Sequence, residues 1–204
     1  MTTVLKCEPG AGRTRQRVLD NARRLFAARG FHAVSLRELA QAVGLQAGSL
    51  YIHIESKDAL LQELIEDGFV GLIDSMQGLL AGTDAERGLS VFLRHHLAFQ
   101  RANPHWHLLA SIEARHLGAE GQQELRELKA DYAYLLERLL VARFDGHGDA
   151  LRITRLARQT LHLIDCPPSD DDTPLDDCLD DIEQLILNRL HPSAFSVSAA
   201  CQER

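Results

Sequence analysis

The segment Ser35–Lys57, SLRELAQAVGLQAGSLYIHIESK, leaves the chain little choice but two short helices joined by a tight turn. Ser35 and Glu38 stand at the spacing of a capping box, in which a hydroxyl and a carboxylate satisfy the free amides of a helix start. Leu36, Leu39, Ala40 and Val43 then fall at i, i+3, i+4 and i+7, one apolar stripe on a short helix. Gly44 ends that helix, because glycine takes positive φ without steric cost, and Leu45 supplies an apolar plug for the turn. A second helix over Ala47–His53 opens with Ala47, Gly48 and Ser49, which carry almost no side-chain bulk. Such a helix can bring its backbone close to another surface, and the major groove of DNA is the usual partner of this arrangement. Tyr51 and His53, on the far turn, are placed to donate to phosphate oxygens.

The flanking sequence strengthens this reading. Arg13–Arg29 is a basic helix with Val18, Ala22, Leu25 and Phe26 on its apolar face; Gly30 ends it, and Phe31 locks it onto the next helix. Ser56 caps a fourth helix with Lys57 in its first turn, where a cation opposes the helix dipole and so suits an outside anion such as phosphate. The run RQRVLDNARRLFAARGFHAVSLRELAQAVGLQAGSLYIHIESKDALL resembles the DNA-binding domain of the TetR family of transcriptional repressors, over roughly the first third of the chain.

The resemblance implies an all-α protein of about nine helices. Residues 13–57 would form a three-helix, helix-turn-helix DNA-binding domain, and residues 58–191 a helical effector-binding and dimerisation domain. A flexible arm, 1–12, and a flexible tail, 192–204, would flank them. Family members approach bases or phosphates with residues matching Arg37, Ala47, Gly48, Ser49, Tyr51, His53 and Lys57. This chain departs from the pattern at two places. Gln46 stands where the family often has a serine cap; it caps poorly, but its amide can read an adenine edge, so it joins the DNA-contact set. Ile54 replaces an aromatic residue, a swap within the core.

Charge is divided in the same sense. Residues 1–60 carry nine Lys/Arg against five Asp/Glu, and the rest carry 13 against 24, so a net +4 and a net −11 make up the overall −7. The basic part coincides with the helix-turn-helix and would hold phosphates with a salt-dependent affinity, while the acidic remainder would face away from DNA.

Other classes are set aside. No apolar run approaches the roughly 20 residues of a membrane span, and the first 12 residues lack a hydrophobic signal core, which points to a cytoplasmic protein. Cys7, Cys166, Cys178 and Cys201 make no CxxC pair, so neither zinc nor a disulfide framework is expected. His95 and His96 point about 100° apart on a helix, and His105 and His107 about 200° apart, so neither pair chelates easily. Asp170, Asp171 and Asp172 form a solvated linker run. With no nucleophile elbow or phosphate-cradling loop, no enzyme activity and no cofactor are expected.

Beyond Lys57 the chain reads as successive helices, with no sustained alternation that would signal a sheet. A fifth helix runs from about Asp84 to Ala102, a sixth from Pro104 to Gly118, and a seventh from about Glu120 to Phe144, broken by Gly146 and Gly148. On the last two helices, Ile153, Leu156, Thr160, Leu161 and Ile164 form one stripe, and Leu179, Ile182, Ile186 and Leu190 another. Together they would build a four-helix homodimer interface, as the family implies. Dimerisation would hold two recognition helices about 34–36 Å apart, in successive major grooves of a palindromic operator.

The middle helices supply aromatic and titratable material for a small-molecule pocket: Phe92, His96, Phe99, Trp106, Leu109, Glu113, His116 and Tyr132. Hydrophobic acids, acyl thioesters, aromatic compounds and drugs are the effector classes such regulators take. The expected function is therefore a dimeric repressor released from its operator by an effector that favours a different spacing of the heads. An activator, or a helical interaction protein without effector control, is the alternative.

Overall fold

The computed structural model of the chain describes residues 9–143, 149–165 and 175–190. The arm up to Glu8, the whole of the tail, Gly146 and Gly148, Asp170–Asp172, Cys7, Cys166 and Cys201 lie outside them. Among the described residues there are nine α-helices, one 3-10 turn and no strand. The helices are α1 Pro9–Arg29, α2 Leu36–Ala42, α3 Ala47–Leu50, α4 Lys57–Leu80, α5 Ala85–Ala102, α6 Pro104–Ser111, α7 Ala119–Arg143, α8 Ala150–Asp165 and α9 Leu175–Leu190, with the 3-10 turn at Glu113–His116. No described helix is long and apolar enough to cross a membrane.

Local chemistry explains most boundaries. Gly30, at φ +85°, ends α1 and returns its amide to the Phe26 carbonyl at 2.8 Å. Asp84 stands outside α5 as its cap, accepting the Arg87 amide at 2.8 Å. Pro104 opens α6 at the position where its missing amide costs nothing. The sixth helix stops at Ser111, short of the expected Gly118. The Ser111 hydroxyl bonds back to the His107 and Leu108 carbonyls, and the backbone then tightens into the 3-10 turn.

The chain forms two compact units, each built from separate stretches. The first comprises the residues up to Gly71 together with Gln100–Leu128. The head expected over 13–57 lies inside it, and α6 packs against α1. Phe26, Leu39, Leu50, Leu61, Leu64, Ile65 and Leu109 are fully buried in this unit. The Trp106 indole donates to the Ile65 carbonyl at 3.0 Å and sits edge-on to Phe69. It fills the space beside Gly68, where an added Cβ would lie 1.9 Å from the indole nitrogen.

The second unit comprises Leu72–Phe99 and the residues from Lys129 onward. Met76, Leu89, Phe92, Leu93, Leu136 and Leu140 are buried in it, as are Ile153, Leu156, Thr160, Ile164, Leu179, Ile182 and Ile186. Within one chain these apolar stripes of the expected dimer interface are withdrawn from water, except that Leu161 is half-buried. Helical periodicity marks an apolar face but not what covers it. The side chain of Leu190 lies outside the described set. Among the described side chains of α8 and α9, the large apolar groups left in solvent are Leu151, Leu163 and Leu185.

Candidate nucleic-acid interface

The head is assembled from its caps outward. The Ser35 hydroxyl accepts the Glu38 amide at 3.2 Å, and the Glu38 carboxylate accepts the Ser35 amide at 2.8 Å. The Ser35 amide, then the Ser35 hydroxyl, which also donates to the Glu38 carboxylate at 2.9 Å, and a 3.0 Å ion pair to Arg29 hold the Glu38 carboxyl down at about 2. Gly44 closes the far end at φ +72°, and the Leu45 amide returns to the Ala40 carbonyl at 2.8 Å. The Arg17 guanidinium donates to the Val43 carbonyl at 2.9 Å, pinning α1 to the end of α2.

Helix α3 is shorter than the expected Ala47–His53. It closes at Leu50, after which the Ile52 amide bonds the Ser49 carbonyl and the His53 amide the Leu50 carbonyl, each three residues back. Gln46 gives its side chain no capping role, and Ile52 and Ile54 are β-branched, so little local energy extends the helix. Leu50 and Ile54 point inward and are buried. Arg37, Gln46, Ala47, Gly48 and Tyr51 are exposed, with Ser49 and His53 half-buried. At Gly48 a Cβ would meet nothing within 4 Å, so its bareness serves no neighbour in the chain.

Lys57 has an internal partner. Its ammonium lies 4.3 Å from the centre of the Phe31 ring and 5.8 Å from that of Phe26, and burial lowers its pKa. Phe26 and Phe31 meet edge to face at 5.4 Å. The aromatic faces offset the adverse dipole at the start of α4, while the Ser56 hydroxyl accepts the Ala59 amide at 2.9 Å.

Behind the helix-turn-helix, the Glu113 carboxylate accepts the Phe31 amide at 2.9 Å, and one His32 nitrogen meets one of His116 at the same distance. The Arg115 guanidinium donates to the other His116 nitrogen at 3.2 Å.

The eight residues expected to line a pocket divide evenly. Trp106, Leu109, Glu113 and His116 belong to the first unit, with the packing and bonding roles just given for all but Leu109, a fully buried core residue. Phe92, His96, Phe99 and Tyr132 belong to the second. There, buried His96 approaches the Tyr132 hydroxyl at 3.0 Å through one nitrogen and the Asp165 carboxylate at 3.3 Å through the other. Burial, and then the Asp165 charge, raise the Tyr132 pKa. A separate groove of about 330 Å³ in this unit is lined by Asp149, Arg152, Arg155, Leu156, Gln159 and Arg189. No group of three or more His, Cys, Asp or Glu among the described residues has the arrangement of a metal site.

Arg17, His32 and Asp165 escaped the sequence reading. Gly68 did carry a signal, since a glycine inside a helical pattern marks a close approach.

Comparison with known proteins supports the head most directly. Residues 18–64 match the family described as bacterial regulatory proteins, tetR family. The repressor KstR2 of Rhodococcus jostii (strain RHA1) is 38% identical over 69 residues, 34% of this chain and 32% of that one. The regulator UidR of Escherichia coli (strain K12) is 40% identical over 52 residues, 26% of each chain. The matched part thus spans a third or less of these relatives. Solved structures extend the likeness in fold. The TetR-family regulator PfmR of Thermus thermophilus aligns with a TM-score of 0.72 at 23% identity, over 84% of this chain and 97% of that one. FadR of Bacillus halodurans aligns with a TM-score of 0.72 at 21% identity, over 89% and 96%. Residues 18–64 thus form a helix-turn-helix head of the type found in bacterial regulatory proteins of the tetR family, and the chain as a whole shares the all-helical fold of solved TetR-family regulators.

Proposed function

We propose that the chain is a DNA-binding transcriptional regulator whose head docks α3 in the major groove. The observation that carries this reading is the outward face of α3, where Ala47 and Gly48 are exposed and bare. Exposed Arg37 and Tyr51, half-buried His53 and the Lys57 ammonium supply donors for phosphates, and Gln46 an amide for a base edge.

The test is selection of bound duplexes from a random library with the purified full chain, followed by titration at several salt concentrations. A recovered palindrome, bound with an affinity that falls steeply with salt, is the expected result. Equal indifference to all duplexes at modest ionic strength would remove the reading.

A homodimer follows from the same proposal, since a palindrome needs two heads. Beside the α8 and α9 stripes, the outward leucines Leu163 and Leu185, 52% and 58% exposed, are the groups we assign to pairing. Leu163→Glu with Leu185→Glu should give a monomer by sedimentation, where the parent chain sediments as a dimer.

Release by a small molecule is proposed for the second unit, where Phe92, Phe99, His96 and Tyr132 combine aromatic surface with a polar pair. FadR of Bacillus subtilis, which aligns with a TM-score of 0.66, was solved with stearoyl-CoA, one of the expected effector classes. A thermal-shift screen of acyl thioesters and aromatic acids, with each hit tested for a change in DNA affinity, checks this part.

A further inference from the structure

We propose that Ile52 reads the 5-methyl group of a thymine in the bound duplex, an inference that rests on the DNA-binding reading above. Ile52 is 80% exposed, the largest exposure among the big apolar residues described, and Tyr51 beside it is 60% exposed. A lone aliphatic group in water is ordinary; its position on this turn is what gives it meaning.

The turn keeps helical winding past Leu50, because the Ile54 amide still reaches the Leu50 carbonyl at 3.2 Å. Leu50 and Ile54, four apart and both buried, define the inward side. At about 100° per residue, Ile52 lies some 200° from each of them and Gly48 lies four residues before it, so Gly48 and Ile52 share the outward side. Gly48 has no side chain to shield its neighbour and nothing within 4 Å of where one would start. The bare ridge therefore ends in a single apolar knob.

A phosphate offers such a knob nothing, and the base edges of the major groove present hydrogen-bonding groups apart from one apolar feature, the thymine methyl. The polar residues of the head fix position; Ile52 would add sequence preference at one base pair per half-site. Unlike Gln46, it would do so without a hydrogen bond.

The experiment replaces each thymine of a duplex recovered by selection with deoxyuridine, one at a time, which removes the methyl and leaves pairing intact. The full-length parent chain should lose about fourfold in affinity at one position per half-site, the worth of a single buried methyl group. Ile52→Ala, a truncation at an exposed site, should bind the thymine and deoxyuridine duplexes equally. Affinity of the parent chain that is indifferent to every deoxyuridine, or an Ile52→Ala chain that keeps the parent's full sensitivity, overturns the assignment while leaving DNA binding in place. Failure to recover any duplex overturns both.

Discussion

The Glu113 carboxylate accepts the Phe31 amide at 2.9 Å across 82 residues of sequence, in a buried setting. It satisfies a backbone donor left over where α1 gives way to α2. Glu113→Ala strands that amide, and a buried donor without a partner costs about 1–3 kcal/mol. Glu113→Gln keeps a carbonyl oxygen for the bond and should lose less. Urea titrations of the three chains decide it; an Ala variant with the parent's midpoint would show that Phe31 finds another acceptor.

Gly68 holds the floor under Trp106. A methyl group there would lie 1.9 Å from the indole nitrogen. Overpacking of this sort costs about 1–3 kcal/mol, against roughly 1 kcal/mol gained in helix propensity. Gly68→Ala is therefore expected to lower stability and to shift the emission of Trp106, the chain's one tryptophan. Unchanged emission would mean that the ring does not rest on Gly68.

Glu38 ties the start of α2 to pH. Its folded pKa, about 2 against an ordinary 4.5, is depressed first by the Ser35 amide, then by the Ser35 hydroxyl and Arg29. A depressed carboxyl stabilises the fold fully above its free value and loses that contribution as pH falls towards its folded one. The carboxyl carbon resonance of Glu38 in the native chain should accordingly titrate near pH 2. Ser35→Ala should move that midpoint upward and cost about 0.5–2 kcal/mol through the lost cap. A midpoint at 4.5 in the parent chain, the ordinary value, would rule out the capping box in solution.

Lys57 stands between two roles, its ammonium over Phe31 and its place among the proposed phosphate donors. Lys57→Met keeps apolar bulk against the ring and removes the charge. For one lost phosphate contact, the slope of log affinity against log salt should flatten by about 0.9. A slope equal to the parent's would confine Lys57 to its aromatic contact.

Tyr132→Phe removes the hydroxyl that meets buried His96 at 3.0 Å. The imidazole then loses a partner, at a cost of about 1–3 kcal/mol. Equal thermal midpoints for the two chains would show that the pair contributes nothing to the second unit.

What the sequence disclosed was mostly local. The Ser35–Glu38 box and the Gly44 turn depend on residues a few positions apart, so their spacing alone announces them. The length of α3 was less legible, because Gln46 and the β-branched pair Ile52 and Ile54 weaken both of its ends. The stripes on α8 and α9 were visible as stripes. Periodicity cannot tell a protomer's core from a partner's surface, and within one chain most of their apolar residues are buried. The candidate pocket mixed two kinds of residue for a related reason. Trp106, Glu113 and His116 looked like ligand-lining material by type, yet they bond or pack against Ile65, Phe31 and His32, partners that no short-range pattern reveals.

Because α6 and the Glu113 turn complete the unit that carries α1–α3, the head is not a portable cassette. A chimera spliced at Lys57 would leave the indole and the carboxylate behind, and the graft would start life with a hollow beside Phe31. Swapping operator preference between such regulators calls for three crossovers in the gene, after Gly71, after Phe99 and after Leu128.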